Sequence, residues 1–99
     1  METSDLAMEH GEAIHVTVRA PNGASEPQTV RRRELVSEAT KKAVDKFVAQ
    51  KKLAPGEYDL ALVRDGQATA MASDKLIGDY GVRENDVLHI VPRKPQVDG

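Results

Sequence analysis

The chain has 99 residues, enough for one domain, and a domain of that size buries only about 60–65% of the surface its unfolded chain exposes, so one modest core is the limit. Two tyrosines and one phenylalanine, with no tryptophan, leave the core to aliphatic side chains. Charged residues make up 30% of the chain, the formal net charge is −2 and cysteine is absent, which excludes disulfides and thiolate chemistry and offers no basic excess for nucleic acid.

Residues 1–12, Met-Glu-Thr-Ser-Asp-Leu-Ala-Met-Glu-His-Gly-Glu, carry an acidic bias and no sustained periodicity, and read as a flexible leader. They lack the basic-then-apolar layout of a secretion signal, and no apolar run approaches the roughly 18 residues of a membrane span, so the expectation is a cytoplasmic chain with no membrane partner. Glu9, His10, Glu12 and His15 are metal-ligand types, but their spacing matches no metal motif. Closing a site on a flexible segment also costs entropy, so no metal is expected.

Ala13 to Arg19 alternates, with Ile14, Val16 and Val18 on one face and His15, Thr17 and Arg19 on the other, which predicts a half-buried strand. Pro21-Asn22-Gly23-Ala24-Ser25 supplies turn chemistry, and Gln28 to about Arg32 reads as the return strand of a hairpin. Leu35, Val36, Ala39, Ala43 and Phe47 share one helical arc while Glu38, Lys41, Lys42 and Asp45 point away, predicting an amphipathic helix from about Glu34 to Gln50. Lys46, Lys51 and Lys52 suit the negative end of its dipole, and Pro55-Gly56 ends it. Tyr58 to Arg64 is the next strand, with Leu60 and Leu62 on one face and Ala61 and Val63 on the other. Asp65-Gly66 is a tight turn, and Gln67 to Ser73 holds one short edge strand.

Leu76, Ile77, Tyr80 and Val82 then lie along a turn-rich segment broken by Gly78 and Gly81. After the polar turn Arg83-Glu84-Asn85-Asp86, Val87-Leu88-His89-Ile90-Val91 is a β-branched apolar run bounded by Pro92, a buried strand. If Leu88 and Ile90 point inward, Val87, His89 and Val91 point out. The order is hairpin, helix, strand, irregular segment, final strand. Only an α+β sandwich buries both apolar stripes, with a mixed sheet of four or five strands packed on the one helix.

Ile77-x-Asp79-Tyr80-x-Val82, a four-residue polar turn and then Leu88-His89-Ile90-Val91 resemble the C-terminal third of the ubiquitin family, with the gaps preserved over about 16 positions. The element order agrees with that family's β-grasp fold over about Ile14 to Arg93, so the chain divides into a leader at 1–12, a ubiquitin-like domain at 13–93 and a flexible tail at 94–99. The resemblance implies that the outward positions of the last strands form the patch that partners grip: Val63, His89, Val91 and Arg93, joined by His15 and Arg19.

The tail, Pro92-Arg93-Lys94-Pro95-Gln96-Val97-Asp98-Gly99, has two prolines and no apolar periodicity and is expected to extend up to about 25 Å. Modifiers of this family thread such a tail into an activating enzyme that adenylates the terminal carboxylate. Glycine without a Cβ lets the carbonyl approach a nucleophile in a narrow channel. The resemblance therefore implies conjugation at Gly99, with Asp98 in the recognised tail where the family's usual ending has a second glycine. It also implies an activating enzyme, a conjugating enzyme, a deconjugating peptidase and a target protein as partners, as in bacterial ubiquitin-like modifier systems. ATP would be used by the activating enzyme, so the chain itself takes no cofactor and is expected to be a monomer when free.

The alternatives are a ubiquitin-like interaction module that is never conjugated, such as a subunit of a secretion or oxygenase complex, and a sulfur carrier. An enzyme is not expected, for there is no phosphate-cradling glycine loop and no triad or metal spacing. Arg31-Arg32-Arg33 cannot all face one way on a strand and lacks an aromatic platform, so nucleic acid is not an expected partner.

Overall fold

Strict alternation makes β1, Ala13–Arg19: Ile14, Val16 and Val18 are buried while His15 and Arg19 are exposed. In the computed structural model, which describes residues 11–93, β1 turns through Pro21–Gly23 into β2, Ser25–Arg31, paired antiparallel with Val16 opposite Gln28. β2 starts three residues earlier than its composition predicts. Glu26 and Gln28 fill inward positions whose alternation is invisible in a hydropathy pattern, because Lys52 and the Ala39 carbonyl satisfy them instead of an apolar core.

The helix α1, Val36–Ala49, buries Val36, Ala39, Thr40, Ala43 and Phe47. Leu35, expected on that arc, is instead the N-cap residue with extended backbone and is 38% exposed. No side chain caps this end. The segment from Ser73 to Lys75 does so with backbone carbonyls, which accept hydrogen bonds from Val36 N–H (Lys75 oxygen, 2.8 Å) and Ser37 N–H (Ser73 oxygen, 3.1 Å). That meets the orphan donors of a helix start. At the other end Lys51 takes a left-handed φ of 61°, and Lys52 N–H reaches the Phe47 carbonyl at 2.8 Å, closing the helix with a residue that pays a steric cost glycine would avoid.

β3, Tyr58–Arg64, β4, Gln67–Met71, and β5, Val87–Pro92, complete one sheet of order β2-β1-β5-β3-β4. β5 lies parallel to β1 and antiparallel to β3, with Leu88 opposite Val18 on one side and Leu62 on the other. Phe47, Leu60, Ile77, Leu88, Val18, Val30, Val36 and Val82 are the largest fully buried side chains, so the core lies between helix and sheet. No helix among the described residues is long and apolar enough to cross a membrane.

A short 3-10 helix, Ile77–Tyr80, locks the irregular segment to the link between β2 and α1. Ile77 N–H donates to the Glu34 carbonyl and Gly78 N–H to the Arg32 carbonyl, both at 2.8 Å. A Cβ on Gly78 would stand 3.0 Å from that Arg32 oxygen, so the close approach favours glycine. Asp79 accepts the Leu76 N–H at 2.9 Å, and the Tyr80 hydroxyl accepts the Ala72 N–H at 2.7 Å. Glu34 is buried at the centre of the clasp; one carboxylate oxygen accepts the Arg31 N–H at 3.1 Å and the Lys42 ammonium lies 3.0 Å from the other as an ion pair.

Gly11 and Glu12, the end of the expected leader, contact β2. The Gly11 carbonyl accepts from the Arg31 guanidinium and the Glu12 carbonyl from Arg32 N–H, each at 3.4 Å. Residues 1–10 of the leader and the tail at 94–99 lie outside the described residues. Truncating Phe47, the one aromatic ring fully buried among the described residues, leaves a cavity between the helix and the sheet; Phe47→Ala is expected to lower unfolding free energy by about 3–5 kcal/mol, read from urea denaturation midpoints at unchanged slope.

Candidate functional site

The sheet face turned away from α1 is built in rows, because side chains at facing positions of paired strands point the same way. One row runs Pro27, Thr17, Val87, Val63 and Ala68 across β2, β1, β5, β3 and β4. The next runs Ser25, Arg19, His89, Ala61 and Ala70. A third, shorter row sets Val91 opposite Asp59. Val63, Val87 and His89 are partly exposed and Val91 is 41% exposed, while Ala61, between His89 and Ala70, points to this face and is nonetheless buried at 6%. The surface is a shallow aliphatic strip with a histidine at its centre, a form suited to another protein's apolar side chains.

Val63, His89 and Val91, each assigned to this face by alternation, do come together on it. Arg93 lies at its edge, and its guanidinium is already engaged: Asp59 takes two hydrogen bonds from it, at 2.5 and 3.2 Å, and Glu57 stands 3.7 Å away. Asp59 raises the Arg93 pKa further above its ordinary value, first through the hydrogen bond and then through charge. Arg93 N–H also donates to the Glu57 carbonyl at 2.9 Å, so β5 is fastened to the start of β3 at the point where the chain leaves the sheet. Arg93 thus anchors the strand end and is presented at the surface as an Arg–Asp pair.

His15 and Arg19 occupy different surroundings. Arg19 sits beside His89 in the second row. His15 lies beyond the start of β5, and its ring Nδ1 is 2.7 Å from Glu84 Oε2 while its backbone N–H donates to Oε1 at 3.0 Å. Asn85 N–H returns a bond to the His15 carbonyl at 2.7 Å. The polar turn before β5 is therefore docked on β1, and Arg64 pairs with Asp86 across its far side. His15 belongs to this dock and is separated from the aliphatic strip by Thr17.

Sequence reasoning missed Asp59, Ala68 and Ala70. Alanines carry little pattern, and an aspartate in a strand looks like a solvent residue until the fold brings up its partner arginine, 34 positions away along the chain. The lysines also separate. Lys41, Lys42, Lys46 and Lys52 are engaged with Asp45, Glu34, the Pro27 carbonyl and Glu26, whereas no ion pair or side-chain hydrogen bond to Lys51 or Lys75 is found among the described residues. Asp98, Gly99 and Lys94 lie outside them.

No protein-family model and no curated protein matches the chain. Solved structures do. A de novo design based on ubiquitin aligns over 88% of this chain and 96% of its own, with a TM-score of 0.63 at 13% identity. The tubulin-binding cofactor B of Trypanosoma brucei aligns over 86% of this chain and 100% of the matched chain, with a TM-score of 0.68 at 19% identity. At these identities the likeness establishes the fold: a ubiquitin-like α+β fold, five mixed strands on one helix.

The Glu84 dock has a pH signature. The His15 backbone N–H, and then its side chain, hold the Glu84 carboxyl below its ordinary value of 4.5. A carboxyl depressed in the folded state contributes stability that is present above the unfolded value and lost as pH falls through the folded one. Thermal unfolding of the wild type is therefore expected to lose more Tm between about pH 6 and pH 3 than Glu84→Gln does. Parallel acid limbs for the two proteins would mean the dock carries no charge-dependent stability.

Proposed function

We propose that this chain is a ubiquitin-like protein modifier, gripped through the outward sheet face and activated at a free Gly99 carboxylate. The observation that carries the reading is the continuity of β5. The same strand bears Val87, His89 and Val91 on the face and leads directly to Arg93, which is clamped to Asp59 beside the surface a partner would hold. One enzyme docking on Val63, His89 and Val91 would receive the tail within the same contact.

The chemistry asked of the tail is acyl activation. The Gly99 carboxylate attacks the α-phosphorus of ATP and pyrophosphate leaves. A nucleophile of the activating or conjugating enzyme then attacks the acyl carbon and AMP leaves. An amine of the target protein then attacks the same acyl carbon, the enzyme's nucleophile leaves with a proton, and the amide bond forms, which a peptidase reverses by hydrolysis. The modifier is the electrophile throughout and supplies no catalytic group. Asp98 beside the reacting carbon calls for a dedicated enzyme whose channel accepts a Cβ and a charge, in keeping with bacterial modifier systems and a cytoplasmic site of action.

A second reading is an interaction module that is never conjugated, and the likeness to a protein named for binding tubulin favours it, because there the same fold occurs in a binding cofactor. Both readings use the face and only the first uses Gly99. Intact-mass analysis of cells carrying the tagged wild type is expected to reveal higher-mass adducts that vanish when Gly99 is deleted. Free protein alone in both strains, with an adenylating enzyme present, would remove the modifier reading. Val63→Asp, which puts a charge into the aliphatic strip at a partly exposed position, is expected to weaken partner capture by at least about tenfold while thermal unfolding stays close to wild type.

A further inference from the structure

The two edges of the sheet are built differently. On β2, Pro27 removes a donor, Glu26 places a charge, and lysines from α1 and the segment after it cross the edge. Lys46 Nζ donates to the Pro27 carbonyl at 2.9 Å and Lys52 Nζ to Glu26 at 2.7 Å. An incoming strand would have to displace these groups, which are the usual devices against edge pairing. β4 has none of them. Gln67-Ala68-Thr69-Ala70-Met71 holds no charge and no proline, pairs with β3 without a bulge, and leaves four of its five residues exposed. Among the described residues, no hydrogen bond from any element other than β3 reaches it.

The turn determines which of its backbone groups are free. Asp65 and Gly66 have φ of 54° and 78°, the two positive values of a type I′ loop, which closes by a hydrogen bond between Arg64 and Gln67. Antiparallel pairs alternate, so Gln67, Thr69 and Met71 direct their N–H and C=O groups to β3. Ala68 and Ala70 direct theirs outward.

We propose that this edge is a self-association site on which a second copy of the chain pairs β4 with β4, antiparallel about a two-fold axis through Thr69. In that register Ala68 faces Ala70 of the second copy and Ala70 faces its Ala68, so four hydrogen bonds take up every outward amide and carbonyl of the two alanines. Thr69 meets Thr69 of the second copy as a close, non-hydrogen-bonded pair, a favourable cross-strand combination. Self-pairing is what the composition fits. A two-fold axis sets each residue against its own kind or its mirror position, so any charge near the centre would be repelled by itself, and of the two edge strands β2 carries Glu26 and Arg31 while β4 carries no charge. Alanine side chains also offer no pocket by which the edge would select a foreign strand.

The axis stands normal to the sheet, which puts the outward faces of both copies on one side of a continuous ten-stranded sheet. The two β5 strands are then five strand spacings apart, about 24 Å, and the dimer presents two copies of the aliphatic strip to a repeated or dimeric partner. Four hydrogen bonds and small side chains make a weak contact, with a Kd expected between about 10 µM and 1 mM. The inference replaces the simple monomer expected from the sequence with a concentration-dependent dimer, and it stands whether or not Gly99 is ever conjugated.

The test is sedimentation velocity of the full chain up to about 1 mM, on the wild type, Thr69→Lys, Thr69→Glu and an equimolar mixture of the two variants. Thr69 is exposed, so neither charge should alter the fold, and circular dichroism checks this. The expected result is a wild-type dimer at high concentration, at least tenfold weaker association of each variant alone, and recovery in the mixture, where Lys faces Glu. A wild type that stays monomeric would overturn the proposal and leave the edge to an extended segment of another protein. A dimer indifferent to Thr69→Lys, or a mixture no better than its components, would overturn it equally.

Discussion

The parallel pairing of β1 with β5 is the contact on which the structure depends. Each hairpin, β1-β2 and β3-β4, has only two strands, too few to be stable alone in water. β5 lies between them, and its register aligns Leu88 with Val18 on one side and Leu62 on the other, so the apolar stripes of both hairpins become one surface under α1. The same register forces the opposite faces of those strands into rows, placing His89 between Arg19 and Ala61 and Val87 between Thr17 and Val63. Core and candidate site are two sides of one alignment. A one-residue slip of β5 would exchange them.

That alignment is held from outside the sheet as well as within it. Glu84 docks the preceding turn on His15, Asp86 fixes it to Arg64, and Asp59 fastens Arg93 at the far end, so β5 is tied down at both termini by charged pairs spanning many residues of sequence. These exposed and half-buried pairs are individually weak. Their effect is positional: they determine where the strand begins and where the chain departs, while burial of Leu88 and Ile90 supplies the main stabilisation. The clasp between Arg32–Glu34 and Ile77–Gly78 serves α1 in the same manner, since the helix lacks a side-chain cap and takes its N-terminal hydrogen bonds from the returning chain.

The functional reading follows from what this arrangement leaves over. The helix side of the sheet is closed by Phe47 and its neighbours, and the β2 edge is guarded by lysines. What remains is the aliphatic strip, the exit of the chain beside it and the bare edge of β4. A strip of valines around one histidine offers apolar contact area and a single imidazole, a surface whose form suits recognition.

The sequence by itself determined β1 by alternation, α1 by its apolar arc of Leu, Val, Ala and Phe, and β3 and β5 as apolar strand runs, while the stretch with Asp79 and Tyr80 was legible as a turn-rich segment. It also determined which way Val63, His89 and Val91 face, because alternation on a strand leaves no choice once Leu60, Leu62, Leu88 and Ile90 are inward. Tertiary structure decided the rest. The true start of β2 depends on Lys52 and Ala39 satisfying Glu26 and Gln28. The exposure of Leu35 follows from the Ser73–Leu76 segment taking its place at the helix start, and the occupation of Arg93 by Asp59 joins residues from two strands. The contrast between a guarded β2 edge and a bare β4 edge is likewise a matter of what crosses each strand in space. Local periodicity records which face of an element is buried; it holds no term for the polar partner that another element brings.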